Sequence, residues 1–276
     1  MEYGKISVIM GIYNCSSTLS QAIHSIINQT YKNWELIMCD DGSTDNTYEI
    51  ANYYSIKYPR KIIIIRNETN KRLAYSLNHC LKYAKGYYIA RMDADDISLP
   101  SRFEKQISYL VDNPDCDLVG TAMQRFNNTH GLADIIFAAN NPNYYTLRKT
   151  PPFHHATILC YKRVYDMLGG YTVDNRTNRA QDYDLWFRFY YSGFRGDNLK
   201  EPLYLVREDH SSIRRRTSIV RWNAFKTTCY GFKLLGYPRH WIIRPAMEMI
   251  IKSLVPFFLY DRYRNFQSKR KKHSAQ

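Results

Sequence analysis

A chain of 276 residues has room for one large core with an appendage, and needs neither disulfides nor a metal merely to stay folded. With 45% hydrophobic and 23% charged residues, 12 Gly and 10 Pro, its composition excludes the disordered, collagen-like and coiled-coil classes. The net charge of +14 is lodged at one end: residues 207–276 hold 16 Lys or Arg against 4 Asp or Glu, while residues 1–206 are nearly neutral.

Lys5 to Ile12 is an apolar, β-branched run that stops at Tyr13-Asn14-Cys15-Ser16, after which Leu19, Ala22, Ile23, Ile26 and Ile27 recur at helical spacing. Trp34 to Cys39 repeats the strand, ending in Asp40-Asp41-Gly42, and Ser43 or Thr44 is placed to cap a helix that Pro59 closes. Lys61 to Arg66 is a third strand, Ala74 to Tyr83 a helix, and Tyr87 to Met92 a fourth strand running into Asp93-Ala94-Asp95-Asp96. A helix after Pro100 puts Phe103, Ile107, Leu110 and Val111 on one side. Strands without period-two alternation, separated by amphipathic helices, imply an α/β fold with a mostly parallel central sheet covered on both faces.

Farther on, the sequence predicts a strand over 116–125, a polar excursion over 127–143, a strand over 156–161 and a short helix ended by Gly169-Gly170. Asp182 to Tyr191 reads as a helix with Leu185, Trp186 and Phe189 inward, Pro202 to Val206 as a last edge strand, and everything from Ile219 as helical. The stretch from Trp241 to Tyr260 is strongly apolar but broken by Arg244, Glu248 and Lys252, too charged for a spanning helix. Followed by Arg262, Arg264 and Lys269 to Lys272, it has the pattern of a segment lying in the plane of an anionic cytoplasmic leaflet. The tail offers bulky aliphatics beside its charges, which favours lipid over nucleic acid. The six cysteines show no Cys-x-x-Cys or zinc-like spacing, and the opening strand follows Met1 directly; the expectation is a reducing compartment, no signal peptide and no structural zinc.

In open parallel sheets ligands bind outside the carboxyl ends of the strands, and there the sequence places Asp40, Asp41, Asp93, Asp95 and Asp96. Asp93 and Asp95, at alternate positions of an extended segment, point the same way and can meet one divalent ion and the phosphates it bridges. Converging carboxylates repel one another unless a cation or a hydrogen-bonding ligand sits among them. Neither Gly-x-Gly-x-x-Gly after the first strand nor a P-loop is present, so a classical dinucleotide or P-loop site is disfavoured.

Five ordered motifs then carry a resemblance: Ser7 to Asn14, Asp40-Asp41-Gly42-Ser43-Thr44-Asp45, Asp93-Ala94-Asp95-Asp96 with Pro100 and Arg102, Leu168-Gly169-Gly170-Tyr171, and Gln181-Asp182-Tyr183-Asp184-Leu185-Trp186. Over residues 5–206 the chain resembles a family 2, GT-A fold, inverting glycosyltransferase of the bacterial capsule, exopolysaccharide and lipopolysaccharide type. The resemblance implies Mn²⁺ or Mg²⁺ as cofactor and a nucleotide diphosphate sugar, UDP-linked, as donor of a hexose or N-acetylhexosamine. It implies that Ile12, Asn14, Asp41, Arg72, Asp93, Ala94 and Asp95 bind the nucleotide, with Asp41 on the base edge and Asp93 at the ribose or metal. Asp95 would ligate the metal, and Asp182 would be the general base, the alternative from the residues alone being that Asp182 caps the helix that follows it. Each is an acid for a reason: a metal offsets charge developing on the diphosphate, and inverting displacement needs a carboxylate within reach of the acceptor hydroxyl.

Many family members carry a histidine after the last strand; here Asp209 falls at that position and His210 one later, so Asp209 and His210 stand as metal candidates, with Glu208 an alternative to Asp209 in the histidine's role. Of His154 and His155, at a family position near acceptor or sugar, one on a strand faces the core. Arg214-Arg215-Arg216 lies over the diphosphate or begins the basic tail. Residues 1–215 are expected to form the catalytic domain and 216–276 a helical, membrane-associating region. The acceptor is then a saccharide, lipid-linked, and the site of action the inner face of a bacterial cell membrane. A nucleotidyltransferase would need a glycine-rich basic loop where Tyr13 to Thr18 stands, and an inactive, membrane- or partner-binding member would not retain all the motif carboxylates.

Overall fold

A computed structural model describes residues 3–127, 129, 131–208 and 218–254, without the side chains of residues 252 and 254. Its elements are β1 (Ile6–Ile12), α1 (Leu19–Ile27), β2 (Trp34–Asp40), α2 (Thr47–Lys57), β3 (Ile62–Arg66), α3 (Leu73–Tyr83), β4 (Tyr88–Arg91), β5 (Ile97–Ser98), α4 (Arg102–Asp112), β6 (Leu118–Asn127), β7 (Gly131–Ile136), β8 (Leu159–Tyr161), α5 (Lys162–Leu168), α6 (Gln181–Tyr191) and β9 (Gly196–Arg207). Helices α7 (Ser218–Leu234) and α8 (Ile243–Leu254) follow.

One nine-stranded sheet runs β3-β2-β1-β4-β8-β6-β9-β5, with β7 paired to β6. The first half is parallel, β3, β2, β1 and β4 side by side. Beyond β4 the sheet is mixed: β8 is antiparallel to β4 and β6, and β9 is parallel to β6. Helices cover both faces, so successive residues of one strand enter different cores. Val8, Met10, Leu36 and Met38 pack with α1 and α4, whereas Ile9, Ile37 and Cys39 pack with α3 and α6. That double burial is why the parallel strands are apolar without alternation.

The register aligns the strand ends that build the site. Ile12 pairs with Asp40 and Asp40 with Arg66, so the carboxyl ends of β1, β2 and β3 form one edge, and β4 delivers Asp93 just beyond Arg91. Gly42 has φ +75°, the left-handed conformation that lets the chain turn sharply after Asp41. Gly169, at φ 66°, ends α5 in the same way.

Several sequence expectations need correction. Ser43 and Thr44 do not cap α2, which starts at Thr47, because both are bonded to Asn14 and Asp45 takes the Thr47 amide at 3.0 Å. Val111 is exposed, while Phe103, Ile107 and Leu110 are buried. The 127–143 excursion contains β7, and the 156–161 strand begins only at Leu159, after a tight turn over His155–Thr157. β9 is no edge strand: it starts at Gly196 and lies between β6 and β5. Its polar start is tolerated inside the sheet because Tyr109 Oη bonds Asp197 at 2.6 Å and Asn198 Nδ2 bonds the carbonyls of Ala139 and Pro152 at 2.9 Å.

Helix α7 packs on α6, with Thr227, Gly231 and Phe232 buried and the Phe187 and Phe232 rings edge-to-face at 6.0 Å. After a turn at Gly236, Trp241 and Ile242 rest on the same core, leaving Ile243, Met247, Ile250 and Ile251 exposed. Among the described residues no helix is long and apolar enough to cross a membrane. Asp209, His210, Arg214 to Arg216, and the apolar and basic positions from Val255 onward lie outside the described residues.

Candidate active site

The first two motifs are stitched together. Asn14, itself at φ 46°, receives the Thr44 amide on Oδ1 at 2.9 Å and donates its own amide to Ser43 Oγ at 3.0 Å. The Cys15 amide donates to Thr47 Oγ1 at 2.8 Å, and the Ser16 amide to Asp45 at 3.2 Å. Hydrogen bonds from Thr47 and Ser16 outweigh what burial Asp45 has and draw its carboxyl down to about 2. The side chain of Ile12 is buried, and its carbonyl accepts the Asp41 amide at 2.9 Å, so Ile12 shapes the edge rather than presenting a side chain to it.

Asp40 and Asp41 divide their work. Asp40, fully buried, pairs with Arg66 at 3.0 Å. Asp41 accepts from Asn67 Nδ2 and the Lys71 amide on Oδ1 and from the Arg72 amide on Oδ2, each at 2.8 Å. It thereby closes the 67–72 loop over the edge, with accepting capacity remaining on Oδ2. The loop ends in strain: Arg72 holds φ 72° at the start of α3 with its side chain at the surface.

Beyond β4, Asp93, Asp95 and Asp96 each place a carboxylate oxygen within 4.8 Å of the others. Arg91, 3% exposed, pairs with both oxygens of Asp93. Asp96 is buried; its Oδ1 accepts the Arg207 amide at 2.8 Å, while Arg207 Nε holds the Asp95 carbonyl at 2.7 Å. The Ala94 carbonyl accepts from Thr18 Oγ1 at 3.1 Å. Burial, then the charge of Asp93, pushes the Asp95 carboxyl up. Burial and the charges of Asp93 and Asp95 push Asp96 well up. The charges of Arg91, paired with Asp93, and of Arg207 do not offset three converging carboxylates, since Asp95 and Asp96 remain raised, and Asp95 accepts no side-chain hydrogen bond from the described residues. An all-oxygen, over-negative set with one open member fits a hard divalent cation such as Mn²⁺ or Mg²⁺. Arg102 serves this arrangement from beneath. Fully buried, it donates to the carbonyls of Arg91 at 3.0 Å and Ile158 at 3.2 Å, and burial brings its guanidinium down to about 10.

The first turn of α6 brings Asp182 to the same region. Ala180, not Asp182, occupies the cap position, and no side chain among the described residues donates to Asp182. Burial pushes its carboxyl up, while the nearby Arg91 charge pulls the other way. Asp184 contrasts with it: fully buried, it accepts from Thr172 at 2.6 Å, Arg176 at 2.6 Å and Arg188 at 2.8 Å. Both His154 and His155 are half-buried. His155 Nε2 meets Tyr171 Oη at 2.8 Å, and Tyr171 Oη meets Tyr165 Oη at 2.7 Å. Burial, then the Arg91 charge, holds His155 well below the usual histidine range, hence neutral.

The structure thus brings Asp41, Asp93, Asp95 and Asp182 to one end of the sheet, with Arg72 at the rim. The sequence reading missed Arg91, Tyr204 and Arg207, whose Oη, amide and guanidinium order the acidic segment. A lone arginine ending an otherwise apolar strand was the signal that could have exposed Arg91.

A parallel half-sheet whose carboxyl edge gathers an acidic cluster suited to a divalent cation, with a separate carboxylate on a nearby helix, fits an enzyme that binds an anionic ligand at that edge. The glycosyl transferase family 2 model matches residues 7–219, and the chain belongs to that family. It is 45% identical over 262 residues to EpsE of Bacillus subtilis, covering 94% of this chain and 92% of that protein. It is 30% identical over 223 residues to WfaP of Escherichia coli, described as a UDP-Glc:α-D-GlcNAc-diphosphoundecaprenol β-1,3-glucosyltransferase, covering 78% of this chain and 83% of the other. The structure of S. aureus TarS residues 1–349 with UDP shares the fold with a TM-score of 0.61 at 18% identity, over 84% of this chain and 69% of that one.

Proposed function

We propose that the chain is a metal-dependent, inverting glycosyltransferase that moves a hexose or N-acetylhexosamine from a UDP-linked donor to a lipid-linked saccharide in cell-surface polysaccharide synthesis. The observation that carries this reading is the separation of two kinds of carboxylate at one edge. Three converge as a candidate cation site, while Asp182 accepts from no side chain among the described residues.

Asp95, with Asp93 and Asp96 beside it, would hold Mn²⁺ or Mg²⁺, which when bound offsets the charge of the leaving diphosphate. Asp41 orders the 67–72 loop and keeps an oxygen lone pair for the base edge; Arg72 stands where the nucleotide's charge enters. Arg91 fixes Asp93 and reduces the repulsion between the cluster and Asp182. Asp182 takes the proton from the acceptor hydroxyl as that oxygen attacks the anomeric carbon opposite the departing nucleotide. Its raised carboxyl makes it a stronger base than an ordinary aspartate.

Residues 1–215 would form the catalytic unit and 216–276 a helical region placing it at the inner face of the membrane. The exposed apolar face of α8 and the basic residues that follow in sequence support this placement. The test is a panel of nucleotide sugars assayed for Mn²⁺-dependent transfer to lipid-linked saccharides, with anomeric NMR of the product. An α-linked donor should yield a β linkage; an α product would remove the role given to Asp182.

A further inference from the structure

A concavity is linked to α6 through Tyr183. Tyr183, the next residue of α6, donates from Oη to the Leu147 carbonyl at 2.5 Å. Arg148 follows Leu147 and lays its guanidinium 3.6 Å from the centre of the Trp241 ring. The catalytic helix, the 144–148 turn and the start of the C-terminal helices are thus joined in one corner. There Arg148, Trp241, Arg244, Met247, Glu248 and Ile251 line a groove of about 480 Å³.

Its chemistry is split. Met247 and Ile251, each 55% exposed, give it an apolar wall. Arg244 is paired with Glu248 at 3.1 Å, so that charge is largely answered within α8. Arg148 has no carboxylate within ion-pair distance and no acceptor for its N–H groups among the described residues, yet stacking on Trp241 fixes its plane. A held, unanswered guanidinium at the rim of an apolar groove complements an amphiphile that joins a phosphate to a hydrocarbon chain. Tyr183 links the two regions covalently and by hydrogen bond, as the neighbour of Asp182 on α6 and the donor to the carbonyl of Leu147, the residue before Arg148.

We propose that this groove holds the phosphate end and first hydrocarbon segment of the lipid-linked acceptor. Arg148 takes the phosphate, Trp241, Met247 and Ile251 take the chain, and the acceptor's sugar reaches Asp182. The inference rests on the lipid-linked acceptor proposed above.

The test is calorimetric titration of the full chain with farnesyl diphosphate in EDTA, so that the aspartate cluster cannot hold the diphosphate through a metal. Farnesyl diphosphate should bind, and Arg148→Gln and Met247→Asp should each weaken it by about tenfold or more. Inorganic diphosphate should bind about tenfold more weakly than farnesyl diphosphate. Mn²⁺-dependent UDP affinity should stay within about twofold in both variants, which also reports that they fold. Absence of binding, indifference to both substitutions, or equal affinity for inorganic diphosphate would overturn the proposal. So would variants that keep farnesyl diphosphate affinity but lose flotation with phosphatidylglycerol vesicles, or lose self-association in sedimentation. Those results would make the groove a bilayer or subunit contact. The acceptor reading fails separately, if a soluble saccharide is glycosylated as fast as its lipid-linked form; farnesyl diphosphate binding sensitive to Arg148 would still establish the lipid-phosphate groove.

Discussion

Asp182 and Asp184 sit two residues apart on the first turn of α6, and the fold treats them oppositely. Asp184 is fully buried and bonded by Thr172, Arg176 and Arg188, whereas Asp182 accepts from no side chain among the described residues. Burial acts upward on both. At Asp184 the Thr172 hydroxyl and the two arginines outweigh it and hold the carboxyl low; at Asp182 burial prevails.

The two asparagine variants should therefore fail differently. Asp182→Asn should lower turnover by roughly 10²-fold or more with UDP affinity nearly unchanged, and the acid limb of the wild-type rate profile should lie above an ordinary aspartate's value of about 3.9. Asp184→Asn should cost about 3–5 kcal/mol of stability by leaving two arginines short of their charge partner. Because the folded Asp184 value is depressed, its stabilisation is complete above about pH 4 and is lost as pH falls through the folded value. Thermal melts against pH for wild type and variant check this.

Asp93 should combine both behaviours. Its loss removes a carboxylate from the cluster and leaves the buried Arg91 unpaired. Asp93→Asn should lower stability by about 3–5 kcal/mol besides weakening donor binding, whereas Asp95→Ala should affect donor binding alone. Urea unfolding set beside UDP titration separates the two.

Attachment of α7 to α6 turns on Gly231, where an added Cβ would lie 2.1 Å from Phe187 Cδ2. Gly231→Ala should cost about 1–3 kcal/mol through overpacking, read as a fall in Tm. An unchanged Tm would show that α7 is not held against α6.

What the sequence disclosed and what it concealed follow from the range of the forces involved. Apolar runs bounded by Asn14, Asp41 and Asp93 revealed the parallel half-sheet and its acidic edge, because strand burial and turn chemistry are local. The β6–β9 pairing was not legible: Asp197 and Asn198 look solvent-loving until Tyr109 and the carbonyls of Ala139 and Pro152 satisfy them from distant segments. Asp182 and Asp184 were likewise close to equivalent in sequence, since the residues that neutralise Asp184 come partly from another turn. Arg102, noted only as part of a motif, proved to be a buried prop for the end of β4.

The C-terminal region should bind anionic lipid. Each Lys or Arg near such a surface contributes about 1 kcal/mol, and the exposed apolar residues of α8 supply a salt-insensitive remainder. Flotation with vesicles rich in phosphatidylglycerol should weaken in high salt without vanishing. Failure to float at low salt would leave α8 without a membrane role.

The division of labour between the acidic cluster and α6 is tested most directly by calorimetric titration of UDP, with Mn²⁺ and with EDTA, into wild type, Asp95→Ala, Asp96→Ala and Asp182→Asn. Wild type and Asp182→Asn should bind UDP with closely similar, Mn²⁺-dependent affinity, Asp96→Ala measurably but more weakly, and Asp95→Ala not at all. UDP affinity indifferent both to EDTA and to Asp95→Ala would contradict the metal-held donor on which the whole account stands.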